Sequence, residues 1–291
     1  MGYLLENDFL EIEISPQGAE LMSVVDKCDR YQYLWQGDPH IWDRRAPILF
    51  PIIGRLNQGK YRYQDREYTL GLHGFASKLD FHLSEIDQNL ITFSLTYNST
   101  TLIQYPFEFR LAVTYILQER TLTTEFRVEN AGHQIMWFSI GGHPGFNCHL
   151  NPDGRKDSRL VFEKPETVNR LVNESGFLTG NTAPFLQNQN TVDIASLDFD
   201  GKTKVYPLQG LRSETVTIEK LNDDKTVKVR FGGFPYLGIW SPSNRAPFLC
   251  IEPWHGITSV LGAEEDLSQK LGILSLDAGE CFSCGYDVTY D

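Results

Sequence analysis

Four short segments place a polar, titratable or cationic side chain beside glycine or proline at the end of an apolar run. In Ile140-Gly141-Gly142-His143-Pro144-Gly145-Phe146-Asn147, an imidazole follows the apolar stretch Ile135-Met136-Trp137-Phe138. With an ordinary pKa near ~6.5, that ring can give or take a proton at neutral pH. In Phe248-Leu249-Cys250-Ile251-Glu252-Pro253-Trp254, a carboxylate follows four apolar residues, and it enters the core unless it lines a cavity or meets a partner. Burial there raises its pKa and strengthens it as a base. The other two segments are Ile52-Ile53-Gly54-Arg55-Leu56-Asn57 and Gly71-Leu72-His73-Gly74-Phe75. Each residue also has a plain structural role open to it. Arg55 fits a buried ion pair, His73 a bond to a loop carbonyl, Glu252 a turn cap before Pro253, and His143 a loop contact. His40, His82, His133, His149 and His255 stand in polar or turn-rich contexts that predict surface positions, His255 being set apart by its closeness to Glu252.

The elements that must hold these residues read as strands. Alternation of apolar and polar residues with period two recurs in Phe9 to Ile14, Lys60 to Tyr63, Phe109 to Tyr115 and Thr215 to Glu219. Short polar turns separate such stretches, at Gln64-Asp65-Arg66, Asp87-Gln88-Asn89, Gln118-Glu119-Arg120 and Asn222-Asp223-Asp224, as in successive hairpins. Helical periodicity is scarce and predicts only short helices near Pro39 to Arg44, Thr100 to Tyr105 and Leu261 to Ser268. The stretch from Asn151 to Gly210 is less regular and reads as surface loops in an excursion over one face. The scarcity of helices argues against a parallel α/β architecture, and the simplest arrangement is all-β, a large antiparallel β-sandwich in which residues 1–291 form a single domain.

The chain has 291 residues, 41% hydrophobic and 22% charged, enough apolar side chain for a substantial core. A formal net charge of -12 repels phosphate polymers and anionic headgroups, so no nucleic acid and no membrane is expected as a partner, although a local basic pocket can still take a small anion. The start, Met1-Gly2-Tyr3-Leu4-Leu5-Glu6, has no basic and apolar leader pattern, and no run approaches ~18 apolar residues, so a cytoplasmic location is expected. Five scattered cysteines fit a reducing compartment, and Cys281-Phe282-Ser283-Cys284 reads as part of a terminal strand rather than a metal or redox half-site.

Together, Gly54-Arg55, Leu72-His73-Gly74, Gly142-His143-Pro144 and Ile251-Glu252 resemble the ordered motifs of the aldose 1-epimerase (galactose mutarotase) family across most of the chain. The resemblance implies the family's large antiparallel β-supersandwich, with Glu252 as general base, His143 as general acid, and Arg55 and His73 holding sugar oxygens. It implies a small sugar as partner, no metal, nucleotide or redox cofactor, and a monomer or homodimer. Pyranose faces stack on aromatic rings, which points to Trp240 in Tyr236-Leu237-Gly238-Ile239-Trp240, with Trp254 second. Galactose mutarotases proper continue the central histidine with Tyr-Phe-Asn and the glutamate with Thr-Gln. Here Pro144-Gly145-Phe146-Asn147 and Pro253-Trp254 stand instead, which looks more like the LacX-like subgroup. For the family's sugar-fixing aspartate, Asp198 or Asp200 are the candidates. Arg44, Arg45 and Lys78 lie close in sequence to Arg55 and His73, so the expected substrate is a hexose or hexose phosphate. The acid/base reading expects Glu252 and His143 to converge on one cleft with a pyranose fitting between them. A non-catalytic carbohydrate-binding β-sandwich is the alternative, and glycoside hydrolysis is disfavoured because only Glu252 has the setting of a catalytic carboxylate.

Overall fold

In the strand pair Phe109–Gln118 and Thr121–Asn130, the alternation in sequence becomes alternation in space. Leu111, Val113, Tyr115 and Leu117 point into the core while Arg110, Thr114 and Gln118 point outward or lie half-covered. Each such apolar side chain removed from water contributes about 1.5–3 kcal/mol, so inward positions fix the register against a one-residue slip. The structure, a computed structural model, describes residues 2–148, 158–201, 205–220, 223–263 and 266–291. His149 and Asn222 lie outside the described residues.

Among the described residues one 15-stranded sheet dominates, and every pairing of strands in it is antiparallel. Its order runs from Ile48–Leu49 through Ile140–Gly142, Phe248–His255, Tyr236–Trp240, Val205–Gln209, Ser158–Glu174, Thr215–Lys220, Asp223–Arg230, Cys281–Tyr290, Thr121–Asn130, Phe109–Gln118 and Leu90–Thr96 to His82–Ile86. The sheet curls so that its two halves face each other. Phe50 packs 5.0 Å from Phe109, Phe138 packs 5.7 Å from Phe282, and a methyl added at Gly142 would come within 2.7 Å of the Tyr286 ring. These contacts make one half the lid of a sandwich on the other, around one continuous core. The all-β sandwich expected from sequence is the architecture observed.

Three local expectations need correction. Residues 158–193 are not irregular: Ser158–Glu174 and Phe177–Asp193 form a long hairpin with repeated register shifts. Much of its outer part is exposed on both faces, so no apolar period marks it in Asn181 to Asn190. The Pro39 to Arg44 segment makes one turn closed by Trp42 N–H to the Asp38 carbonyl, not a helix. Near Leu261 to Ser268, of which residues 264 and 265 lie outside the described ones, the described residues form only the 3-10 turn Leu267–Gln269, capped by Asp266. The helix near Thr100 is present as Ser99–Gln104, its N-terminus closed by a reciprocal Asn98 and Thr101 capping box. Cys281 and Cys284 lie on the terminal strand as expected and, three apart, leave on opposite faces, but Cys281 is exposed and Cys284 half-buried rather than both being buried. No described helix is long and apolar enough to cross a membrane.

Candidate active site

Glu252 sits inside the strand Phe248–His255, every residue of which is buried except His255. Phe248, Cys250, Glu252 and Trp254 share one face by strand alternation. Phe248 and Cys250 belong to an aromatic cluster with Trp35, Trp42 and Trp240, while Trp254 packs with Leu49, Ile53 and Tyr236, so the carboxylate lies at the seam of two apolar groups. Across the strand pair Glu252 faces Gly238, where a Cβ would stand 2.3 Å from the Trp254 indole. Glycine there lets the indole lie flat against the neighbouring backbone.

His143 is held by the same strand from its other side. Gly141 pairs with Trp254 and Gly145 pairs with Cys250, so continuing the register from either end sets His143 opposite Glu252. The ladder is interrupted at this point, where Pro144 has no N–H to give and its carbonyl accepts from Ile251 at 3.3 Å. The outcome is a contact of 3.2 Å between His143 Nε2 and Glu252 Oε2, with 9% and 1% of the two side chains exposed. The rings of Trp42, Trp240 and His73 surround the imidazole at 5.1, 5.2 and 5.6 Å, Trp42 stacked and the other two edge-on. The pair therefore touches directly, and the expected room for a pyranose between the two groups does not exist: both address the cleft from the same side.

Neither carboxylate oxygen of Glu252 has an aligned hydrogen bond, nor has His143 Nδ1. Burial pushes the Glu252 carboxyl well above the usual carboxylate range, against the lowering effect of the neighbouring Trp254 indole. Burial likewise holds the His143 imidazole well below its ordinary range, helped by the nearby His73. Both groups are thus driven toward their neutral forms.

His73 lies in the left-handed region at φ 58, followed by Gly74 at φ 73, where a Cβ would strike the Phe50 carbonyl at 2.4 Å. That geometry folds the His73 ring back so that Nδ1 accepts from the Gly54 N–H at 3.0 Å, while the His73 N–H reaches the Gly54 carbonyl at 2.9 Å. With Nδ1 an acceptor, the neutral ring carries its proton on Nε2 and is left as a donor there. Burial, then the charges of Arg55 and Lys78, lower its pKa to about 4. The Arg55 backbone is fastened to Thr258, whose hydroxyl also bonds the Gly176 carbonyl at 2.7 Å, and the exposed guanidinium lies over Gly176.

These groups line one cleft of about 680 Å³, together with Trp42, Asp43, Arg44, Lys78, Asn173, Trp240 and Trp254. All five residues singled out from sequence, His143, Glu252, Arg55, His73 and Trp240, are thereby brought together, and Trp254 forms part of the floor. Asp198 and Asp200 are not: Asp198 Oδ1 accepts from Asn244 and from the backbone of Asp200 and Gly201, and Asp200 accepts from the Asn244 backbone, which ties a loop away from the cleft. The carboxylate at the cleft mouth is the exposed Asp43. Arg44 lines the cleft but its guanidinium is engaged by Glu20 at 3.5 Å and by the Ser77 carbonyl, and Arg45 does not line it. His40, His82 and His133 are exposed as expected, but His255 is half-buried between Phe234 and Phe282, and desolvation lowers its pKa to about 4. Sequence reasoning missed Trp42, because Asp38-Pro39-His40-Ile41-Trp42 reads as the start of a helix, and Asn173, whose buried Oδ1 lacks a partner beside the cleft.

Comparison with known proteins bears on the family and the fold. The sequence profile described as aldose 1-epimerase matches residues 1–273. The chromosomal LacX protein of Lactococcus lactis subsp. lactis is 38% identical over 299 residues, covering 98% of each chain. A crystal structure of a galactose mutarotase-like protein from Lactobacillus casei superposes over 100% of both chains with a TM-score of 0.94 at 33% identity. A galactose mutarotase related enzyme from Lactobacillus acidophilus also gives 0.94 at 33% identity, covering 100% of this chain and 97% of its own. A profile match over nearly the full length and a relative this similar over both whole chains carry one conclusion: the chain belongs to the aldose 1-epimerase family.

Proposed function

We propose that this protein is an aldose 1-epimerase that interconverts the α and β anomers of a hexose or hexose phosphate. The observation that carries this reading is the buried contact between His143 and Glu252 at the wall of the cleft. Ring opening needs a proton removed from the C1 hydroxyl and a proton delivered to the ring oxygen, and both oxygens are bonded to the same carbon. An acid and a base lying side by side suit that demand better than a pair facing each other across the ring.

Glu252 as carboxylate takes the hydroxyl proton while His143 as imidazolium protonates the ring oxygen, and the C1–O5 bond breaks. The open-chain aldehyde turns about C1–C2, the freed hydroxyl attacks the other carbonyl face, and the two protons return. The ion-pair and neutral forms of the dyad carry the same number of protons, so the cycle needs no net uptake. Ring opening turns the ion pair into the neutral pair that burial favours. Sugar hydroxyls entering the cleft supply the hydrogen bonds that the buried carboxylate and Nδ1 lack, which favours the charged form before reaction. A positioned acid and base, each worth ~10²–10⁴-fold, suffice for a reaction that also runs unaided.

In this reading Arg55 and the Nε2–H of His73 donate to sugar oxygens, Asn173 Oδ1 accepts, and Trp42 and Trp240 cover an apolar face; that all five line the cleft supports it. Phosphorylated hexoses are favoured by Arg55 and Lys78, which have no carboxylate partner among the described residues although the chain as a whole carries a net charge of -12. The test is exchange NMR or polarimetry on fresh α-glucose, α-galactose and their 6-phosphates with protein added. Faster relaxation toward the anomeric equilibrium is expected. Unchanged relaxation with every aldose leaves a carbohydrate-binding sandwich as the function.

A further inference from the structure

Cys250 lies two residues before Glu252 on the same face of the same strand, directly beneath the acid/base pair. Its Sγ, a His143 ring nitrogen and a Glu252 carboxylate oxygen all lie within 4.8 Å of one another, and all three residues are buried. Nothing in the proposed sugar chemistry uses the thiol. The three groups offer the N, S and O donors that a borderline-soft divalent cation selects over hard oxygen-only ions. Zinc holds such ligands at ~2.0–2.3 Å in a tetrahedron, so neighbouring donors stand roughly 3.3–3.6 Å apart. The His143 to Glu252 contact of 3.2 Å is just under one edge of that tetrahedron, and the Cys250 sulfur stands within 4.8 Å of both donors, so the three ligands adjust by side-chain rotation as the ion binds. His143 and Glu252 line the cleft and Cys250 does not, so the fourth position opens toward the sugar site.

We propose that Zn²⁺ binds at His143, Cys250 and Glu252 and switches the catalytic pair off. Binding forms bonds from the metal to the imidazole nitrogen, the carboxylate and the thiolate, and the thiol proton, with any proton held by the carboxylate, leaves to solvent without change of oxidation state. The metal occupies the atoms that exchange protons with the sugar, so it acts as an inhibitor that competes with substrate and not as a cofactor. The metal-binding half stands on the geometry alone, whereas the inhibition half rests on the reading of the site as an anomerase.

The test uses purified protein freed of metal with a chelator. Titration with Co²⁺ is expected to give the visible bands of a tetrahedral site and a near-ultraviolet thiolate-to-cobalt band at one ion per chain, with Zn²⁺ displacing the cobalt. Cys250→Ala is expected to lose the thiolate band, to weaken Zn²⁺ binding by at least ~10-fold, and to keep anomerisation while becoming resistant to zinc. Cys250→Ser, closer in shape, guards against a packing defect, and His143→Asn should weaken zinc binding as well. Absence of a thiolate band, or equal Zn²⁺ affinity in wild type and Cys250→Ala, overturns the proposal. A Cys250-dependent band in a protein that anomerises no sugar upholds the metal site and rejects the enzymatic reading. Anomerisation that Zn²⁺ leaves untouched at concentrations that displace the cobalt upholds the enzymatic reading and overturns the inhibition.

Discussion

Glu252→Gln keeps the size and shape of the side chain while removing both its charge and its ability to take a proton. In the cleft the sole other carboxylate is Asp43, exposed at the mouth, so no second base replaces it among the described residues. Loss of a positioned base costs ~10²–10⁴-fold, or about 2.7–5.4 kcal/mol of transition-state stabilisation at 1.36 kcal/mol per factor of ten. The same change should not unfold the protein. Glu252 has a raised carboxyl pKa in the folded state, so its contribution to stability is fully present below its unfolded value of 4.5 and is lost as pH rises toward the folded one. The amide carries no such penalty. The melting temperature of Glu252→Gln relative to wild type is therefore expected to climb from pH 4.5 upward, while anomer exchange by NMR falls by at least ~10²-fold at saturating sugar. A folded Glu252→Gln variant that exchanges anomers within about threefold of wild type would refute the assignment of the base, since general-base loss cannot be so small.

The acid limb of the pH profile of kcat/KM should lie below pH 6.5, because burial holds His143 well below that value and His73 at about 4; an acid limb centred at or above 6.5 would contradict the lowered histidines, whereas a basic limb belongs to the raised Glu252 carboxyl. Both histidines also make stability fall as pH drops from 6.5 toward their folded values, since the unfolded chain binds the protons first, and thermal melts across pH 4 to 7 check the sign. Gly238→Ala should lower stability by about 1–3 kcal/mol and weaken sugar binding, because its methyl meets the Trp254 indole at 2.3 Å; a melt and a KM measurement decide it. Lys78→Met should cost a phosphorylated hexose roughly 10-fold more in kcat/KM than its neutral counterpart, the value of one charged contact, and equal losses on both sugars would remove Lys78 from phosphate binding.

The pair at the centre of the site was legible because each member breaks the local rule around it. A carboxylate after Phe248 to Ile251 and an imidazole between Gly142 and Pro144 are costly placements that a strand-based core does not tolerate idly. Their contact was not legible, because it depends on the register of Ile140–Gly142 and Gly145–Asn147 against Phe248–His255, a relation between residues far apart in the chain. Trp42 was hidden because its segment reads as a helix, whereas its place over His143 comes from a single turn set by distant contacts. The half-buried position of His255 between two phenylalanines shows the converse, a polar residue whose apolar neighbours come only from distant strands. The long hairpin failed at the level of pattern, since strands exposed on both faces do not alternate.

That hairpin also works as a measuring rod. Its two-residue tip, Ser175-Gly176, has φ of 54 and 85 and is pinned to the Thr258 to Leu261 segment, so Asn173, Ser175 and Gly176 wall the cleft from a piece of chain outside the central core. Its reach is counted in residues. Removing two from each arm keeps every remaining side chain on its own face and draws the tip back by roughly 6.6 Å, at ~3.3 Å per residue, whereas removing one from each arm exchanges the faces. The room available to the far end of a substrate can thus change in steps of a sugar's width while His143 and Glu252 stay where the central strands hold them.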